Sequence, residues 1–266
     1  MSDVRLVALD IDGTLLPPGA PHTALPDAEI TSAVRALVDA GVEVVLASGR
    51  MFPGTARIGR HLGLTSPLIC QQGSAVHRPD ATMIHRFAID ETVAHDLVDY
   101  ALEHDWPYAW FDPVRYVASR PNKASHEYGL FCGVEPEYRL DARDCGLIPT
   151  GIDVISTAER ATHVHRELED RFGERVHLLD FPTVTTAHSP EASKGKALTI
   201  LAKDLGIEQH EVVAIGDSVN DVSMLLWAGR GVTLPHCDRY ARQAADEFLS
   251  GEGVTGVAKL LRSLAW

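Results

Sequence analysis

VRLVALDIDGTL, residues 4–15, is the stretch on which the fold turns. Val4 to Leu9 is a short, mostly apolar run, the pattern of a strand buried on both faces of a parallel sheet, and it stops at the turn-forming Asp10-Ile11-Asp12-Gly13-Thr14. Parallel neighbours require crossover helices, so a helix has to follow. Asp27 can cap one, and Ile30, Val34, Leu37 and Val38 form its apolar face. Val42–Leu46 reads as a second strand and Pro67–Cys70 as a shorter third. The same grammar returns near the C-terminus, with a helix over Lys196–Leu205, a strand over Val212–Ile215, another at Val232–Leu234, and a last helix carrying Val257, Leu260, Leu261 and Leu264. Strands alternating in this way with helices predict an α/β domain of three layers, Rossmann-like, with a mostly parallel sheet.

Residues 82–186 have a different texture. A helix at about Asp90–His104 with Val93, Leu97, Val98 and Ala101 on one face precedes two strand-like runs, Pro107–Phe111 and Arg115–Ala118. A second helix near Ala158–Phe172 and two further runs, Val176–Phe181 and Thr183–Ala187, close the segment. That order predicts an α+β domain at 82–186, inserted in a core made of 1–81 and 187–266. Trp106, Tyr108, Trp110 and Phe111 read as core of the insert.

Composition narrows the function. Of the 266 residues 45% are hydrophobic and 23% charged, and the formal charge is -13, with no Lys/Arg cluster to neutralise a phosphate backbone, so nucleic acid is not the expected partner. Cys70, Cys132, Cys145 and Cys237 lie far apart without a CxxC pair, which suits a reducing compartment and offers no zinc spacing. The N-terminus carries no signal-peptide pattern and no run approaches a membrane-spanning length, so a cytoplasmic protein away from membranes is expected. Oligomeric state leaves no mark in the sequence.

Ligands of open parallel sheets bind beyond the carboxyl ends of the strands, so the polar residues after each run belong together. They are Asp10 and Asp12; Ser48, Gly49 and Arg50; and Asp217, Asn220 and Asp221, with Lys194 arriving at the start of a later helix. Carboxylates gathered in one cleft repel one another unless a divalent cation neutralises them, and oxygen donors without His or Cys match magnesium, which takes further oxygens from a phosphate. Taken singly, each Asp is as well read as a helix cap or turn residue, Asp221 above all, and Lys194 as an exposed lysine. Arg50 suits a phosphate contact and a pin to the insert equally. His163 and His165, two apart on an expected helix, point to different faces and do not form a metal pair. His188 reads as a surface histidine.

DIDGTL (10–15), ASGR (47–50), SKGKAL (193–198) and GDSVNDVSML (216–225), in that order, resemble the four motifs of the haloacid dehalogenase superfamily. An insert between the second and third motifs resembles its Cof-type branch, with the larger α/β cap. The resemblance covers essentially the whole chain and implies a magnesium-dependent phosphatase acting on small phosphorylated metabolites, sugar phosphates first. By that resemblance Asp10 attacks phosphorus, and Asp12, raised by crowding from Asp10, protonates the leaving alcohol and later deprotonates water. Asp10, the Asp12 carbonyl and Asp217 hold the metal, with Asp221 ligating through water or orienting the others. Ser48, the Gly49 amide, Arg50, Lys194 and Asn220 bind substrate; Gly13 permits the turn and Thr14 steadies it. Relatives commonly carry Asn-Gly-Ala where this chain has Gln72-Gly73-Ser74, which puts the contact made by that Asn in question. Alternatives are a phosphomutase or phosphotransferase of the same superfamily, and a phospholigand sensor without turnover.

Overall fold

The computed structural model describes residues 4–249 and 253–265. The chain forms two compact units, one from the segments up to His85 and from Ser193 onward, the other from Arg86–Ala192. The first begins with β1 (Leu6–Leu9), α1 (Ala28–Asp39), β2 (Glu43–Leu46), α2 (Phe52–Leu62) and a small sheet of β3 (Leu68–Cys70), β4 (Ala75–His77) and β5 (Met83–Arg86). The second contains α3 (Glu91–Glu103), β6 (Tyr108–Phe111), β7 (Tyr116–Ala118), α4 (Lys123–Cys132), β8 (Glu137–Tyr138), β9 (Gly151–Ile155), α5 (Ala161–Phe172), β10 (His177–Phe181) and β11 (Val184–His188). The first unit then resumes with α6 (Lys194–Asp204), β12 (Val212–Ile215), α7 (Val222–Trp227), β13 (Arg230–Thr233), α8 (Arg239–Ala244), β14 (Glu247–Phe248) and α9 (Gly253–Leu264).

The main sheet runs β14-β13-β12-β1-β2 and every pairing is parallel. Between β12 and β2 runs β1, whose side chains leave alternately through the two faces. Val7 and Leu9 pack with Ile30, Val34 and Leu37 of α1 and Val257 and Leu261 of α9; Leu6 and Ala8 pack with Ala197, Leu198 and Leu201 of α6 and Met224 of α7. Helices therefore cover both faces, giving three layers, and each large aliphatic side chain so buried contributes roughly 1.5–3 kcal/mol. At the start of α1 the Asp27 carboxylate accepts from the Ile30 amide at 2.9 Å, whereas Val38 lies 41% exposed, outside the face the sequence assigned it to.

Of the small sheet only β3 was legible, as Pro67–Cys70; its partners β4 and β5, and α2, were not. Two glycines and a proline lower the helix propensity of α2, but Pro53 sits in the first turn, where a missing N–H costs nothing. The division between the units also falls a few residues beyond 81 and 186. β5 extends the sheet of β3 and β4, while β11 pairs with β9 as far as Ala187 and with β10 as far as His188.

In the second unit a sheet of order β10-β11-β9-β6-β7-β8 is antiparallel except at β7–β8. Tyr108 and Trp110 point to one face, against Val93, Leu97 and Val98 of α3 and Val164, Leu168 and Phe172 of α5. Phe111 points to the other, 5.1 Å between ring centroids from Tyr116. Three elements of this unit absent from the sequence reading are α4, β8 and β9, the last a strand with neighbours on both sides. Asp153 interrupts the apolar run of β9, yet it is buried because the hydroxyls of Tyr116 and Thr186 each donate to it at 2.6 Å. A buried carboxyl is tolerated where donors meet it, a condition that strand periodicity does not display.

Candidate active site

The carboxyl ends of β1, β2 and β12 are adjacent because these strands are parallel and in register, Leu9 opposite both Leu46 and Ile215. The residues that follow each strand therefore meet. Asp10 is 4% exposed and Lys194 is fully buried, and Lys194 Nζ donates to Asp10 Oδ1 and to Asp221 Oδ1, each at 2.6 Å. Oxygens of Asp10, Asp217 and Asp221 all lie within 4.8 Å of one another.

Three carboxylates around one ammonium leave the cluster short of positive charge. Burial, and next the Asp221 carboxylate, push Asp10 well above the usual carboxylate range, against the pull of Lys194. Burial and Asp221 likewise lift Asp217 to about 6. Burial works against the Lys194 ammonium, but the flanking Asp10 and Asp221 charges overcome it and hold the group above its ordinary value. A hard divalent cation fits this donor set, since it would supply the charge the carboxylates lack.

Asp221 is the least free of the three. Its Oδ1 is taken by Lys194, and its Oδ2 accepts from the backbone amides of Asp217 and Ser218 at 3.0 and 3.1 Å. It caps its own turn and orients Asp217 and Lys194, leaving Asp10 and Asp217 as the carboxylates open to an ion. Thr14 does more than steady its turn, since its hydroxyl donates to Asp217 Oδ1 at 3.1 Å. Gly13 stands at φ 93°, and a Cβ there would lie 2.3 Å from Asp217 Oδ2, so only glycine lets the loop after β1 come this close.

Asp12 and Arg50 depart from expectation. Asp12 is held by Arg50, whose Nε and Nη2 donate to its two carboxylate oxygens at 2.8 and 2.5 Å, in place of the expected crowding against Asp10. Arg50 is 1% exposed and its planar fork grips the Asp12 carboxylate of its own unit, a contact the sequence did not suggest. Ser48 is fully buried and its Oγ accepts from the Arg50 amide at 3.1 Å. Asn220 is oriented from both ends, Oδ1 accepting from the Ser218 hydroxyl at 2.5 Å and Nδ2 donating to Gln72 Oε1 at 2.8 Å.

His236 was missed. Its Nε2 donates to the Gly13 carbonyl at 2.7 Å and lies 3.8 Å from Asp217 Oδ2. It follows β13, so the rule that strand ends carry the site was sufficient to find it. His188, expected at the surface, is 1% exposed in the second unit, where Nδ1 donates to the Thr150 carbonyl at 2.8 Å and burial lowers it to about 4. His163 lies 3.5 Å from Glu167 on α5, an ion-pair spacing along one helix.

The model of the haloacid dehalogenase-like hydrolases matches residues 7–261. Phosphatase YwpJ of Bacillus subtilis is 27% identical over 288 residues, covering 98% of this chain and all of that protein. The 5-amino-6-(5-phospho-D-ribitylamino)uracil phosphatase YcsE of the same organism is 27% identical over 261 residues, covering 98% of this chain and 95% of its own. A haloacid dehalogenase-like hydrolase from Bacteroides thetaiotaomicron superposes with a TM-score of 0.86 at 20% identity, over 98% of this chain and 99% of that one.

Proposed function

Because the chain belongs to the haloacid dehalogenase-like hydrolases, we propose that it is a magnesium-dependent phosphatase of small phosphorylated metabolites, sugar phosphates first, working through an aspartyl-phosphate on Asp10. The observation that carries this reading is the Lys194 ammonium 2.6 Å from both Asp10 and Asp221, with Asp217 beside them. One cation among three carboxylates leaves room for a second, and a nucleophile so placed meets a phosphoryl group whose charge is already opposed. Relatives that act on phosphorylated compounds, YcsE among them, support the substrate class.

Asp10, Asp217 and the backbone carbonyl of Asp12 would hold magnesium, with Asp221 orienting Asp217. When bound, the ion supplies charge neutralisation for the phosphoryl oxygens. In the first step Asp12, turned off Arg50 and protonated from solvent, gives that proton to the departing alkoxide as an Asp10 oxygen bonds to phosphorus and the ester P–O bond breaks. In the second, Asp12 removes a proton from water as that oxygen bonds to phosphorus and the Asp10–phosphorus bond breaks, releasing inorganic phosphate. Asp12 reaches either position only by turning off Arg50, so the Arg50 ion pair marks its resting position. Ser48, the Gly49 amide, Lys194 and Asn220 bind phosphoryl oxygens as charge spreads over them. Selection among esters is assigned to the second unit. Among the described residues no helix is long and apolar enough to cross a membrane, and the four described cysteines are free thiols.

Release of phosphate from p-nitrophenyl phosphate, with and without magnesium and without an added acceptor, tests the reading. Turnover should need the metal, and Asp10→Asn should lose at least about a thousandfold in kcat. An Asp10→Asn protein that still turns over would refute the assignment of the nucleophile.

A further inference from the structure

Two residues that carry no glycine stand in left-handed backbone between β3 and β4, Gln71 at φ 52° and Gln72 at φ 60°. Side chains rarely accept this region, and strain of this kind persists only where the surroundings enforce it. Here they do. The Gln71 amide donates to the Arg50 carbonyl at 2.8 Å, the Gln72 amide to the Ser48 carbonyl at 3.1 Å, and the Ser74 amide to the Gln71 carbonyl at 2.9 Å. The turn is thus clamped onto the Ser48–Arg50 loop.

The side chain of Gln72 is directed as well. Its Oε1 accepts from Asn220 Nδ2 at 2.8 Å, which settles the amide so that Nε2 is the end facing Gly49. A Cβ placed on Gly49 would lie 2.5 Å from that nitrogen, so glycine is what lets the amide rest over the loop. Gln72 is half-buried, and no acceptor among the described residues reaches Nε2. A fixed NH2 group lacking an acceptor and lying beside Gly49, whose amide the phosphatase reading gives to the anion, is a donor waiting for an oxyanion.

Resting on the phosphatase reading of this site, we propose that Gln72 binds the transferring phosphoryl group, its Nε2 donating to an oxygen of the anion that the Gly49 amide and Asn220 also hold. The Gln72–Asn220 bond makes the two amides one pre-set pair.

Gln72→Gly and Gln72→Asn both suit a left-handed φ and keep the fold, so loss of binding in them is not loss of structure. Orthophosphate binding in magnesium is measured by calorimetry, kcat and KM with p-nitrophenyl phosphate, and the Gln72 side-chain NH2 signals by 15N NMR. Gln72→Gly should weaken orthophosphate roughly 10-fold or more, as expected for a hydrogen bond to a charged group, with unchanged thermal stability. Gln72→Asn should fall between it and the parent protein. Orthophosphate should shift the Gln72 NH2 protons, which a residue that merely props Asn220 would not show. The proposal is overturned alone if the parent protein binds orthophosphate and turns over while Gln72→Gly matches it and the NH2 signals stay still. If the parent protein neither binds orthophosphate nor turns over, the phosphatase reading falls and this proposal with it.

Discussion

Lys194 is the residue on which the charge balance of the first unit rests. Its ammonium is fully buried between Asp10 and Asp221, and breaking such a pair from one side leaves uncompensated charge, at a cost of about 3–5 kcal/mol. Lys194→Met should therefore unfold at markedly lower denaturant than the parent protein in metal-free buffer, with magnesium restoring part of the difference. Equal midpoints without metal would mean that the ammonium does not hold the carboxylates. Arg50 makes a different point. A guanidinium directly after Ser48 and Gly49 looks like an anion ligand in the sequence, and in the structure its Nε and Nη2 grip the Asp12 carboxylate.

Among the elements, β9 carries the clearest pH signature. Burial raises Asp153 to about 6, although the Thr186 and Tyr116 hydroxyls favour its ionised form. A carboxyl raised on folding stabilises through its protonated form, fully so below the ordinary value of 3.8, and that contribution is lost as pH rises through about 6. His188 on β11 acts in the opposite sense. It is buried neutral and lowered to about 4, so its contribution is complete above 6.5 and lost as pH falls through about 4. The two are separated by subtraction. The stability of Asp153→Asn relative to the parent protein should rise between pH 4 and 6 and level off above, by up to about 3 kcal/mol for a shift of roughly two units. Denaturant unfolding at several pH values reads this, and a difference independent of pH would mean that Asp153 is not held protonated by the fold.

At the scale of the molecule, a cation taken up by the folded first unit and not by the unfolded chain must stabilise it by mass action. Magnesium at 100 times its dissociation constant should add about 2.7 kcal/mol, and Asp217→Asn should show little of that gain. Calorimetric unfolding with and without the metal decides it; identical transitions in the parent protein would remove magnesium from the site. Melting of the second unit should respond less, since Asp10, Asp217 and Asp221 all belong to the first.

What the sequence determined by itself is the α/β class of the first unit and the identity of the groups at its strand ends. A strand buried on both faces leaves an unbroken apolar run, as β1 and β12 do, and parallel register then brings Asp10, Ser48 and Asp217 to one edge without further information. Only the tertiary structure decided which of those groups are free. Arg50 answers to Asp12, Gln72 to Asn220, Asp221 to the amides of its own turn, and Asp153 to two hydroxyls on other strands. Hydropathy periodicity records burial along one element, whereas a hydrogen bond between residues far apart in the chain depends on which strands become neighbours, and no local pattern encodes that.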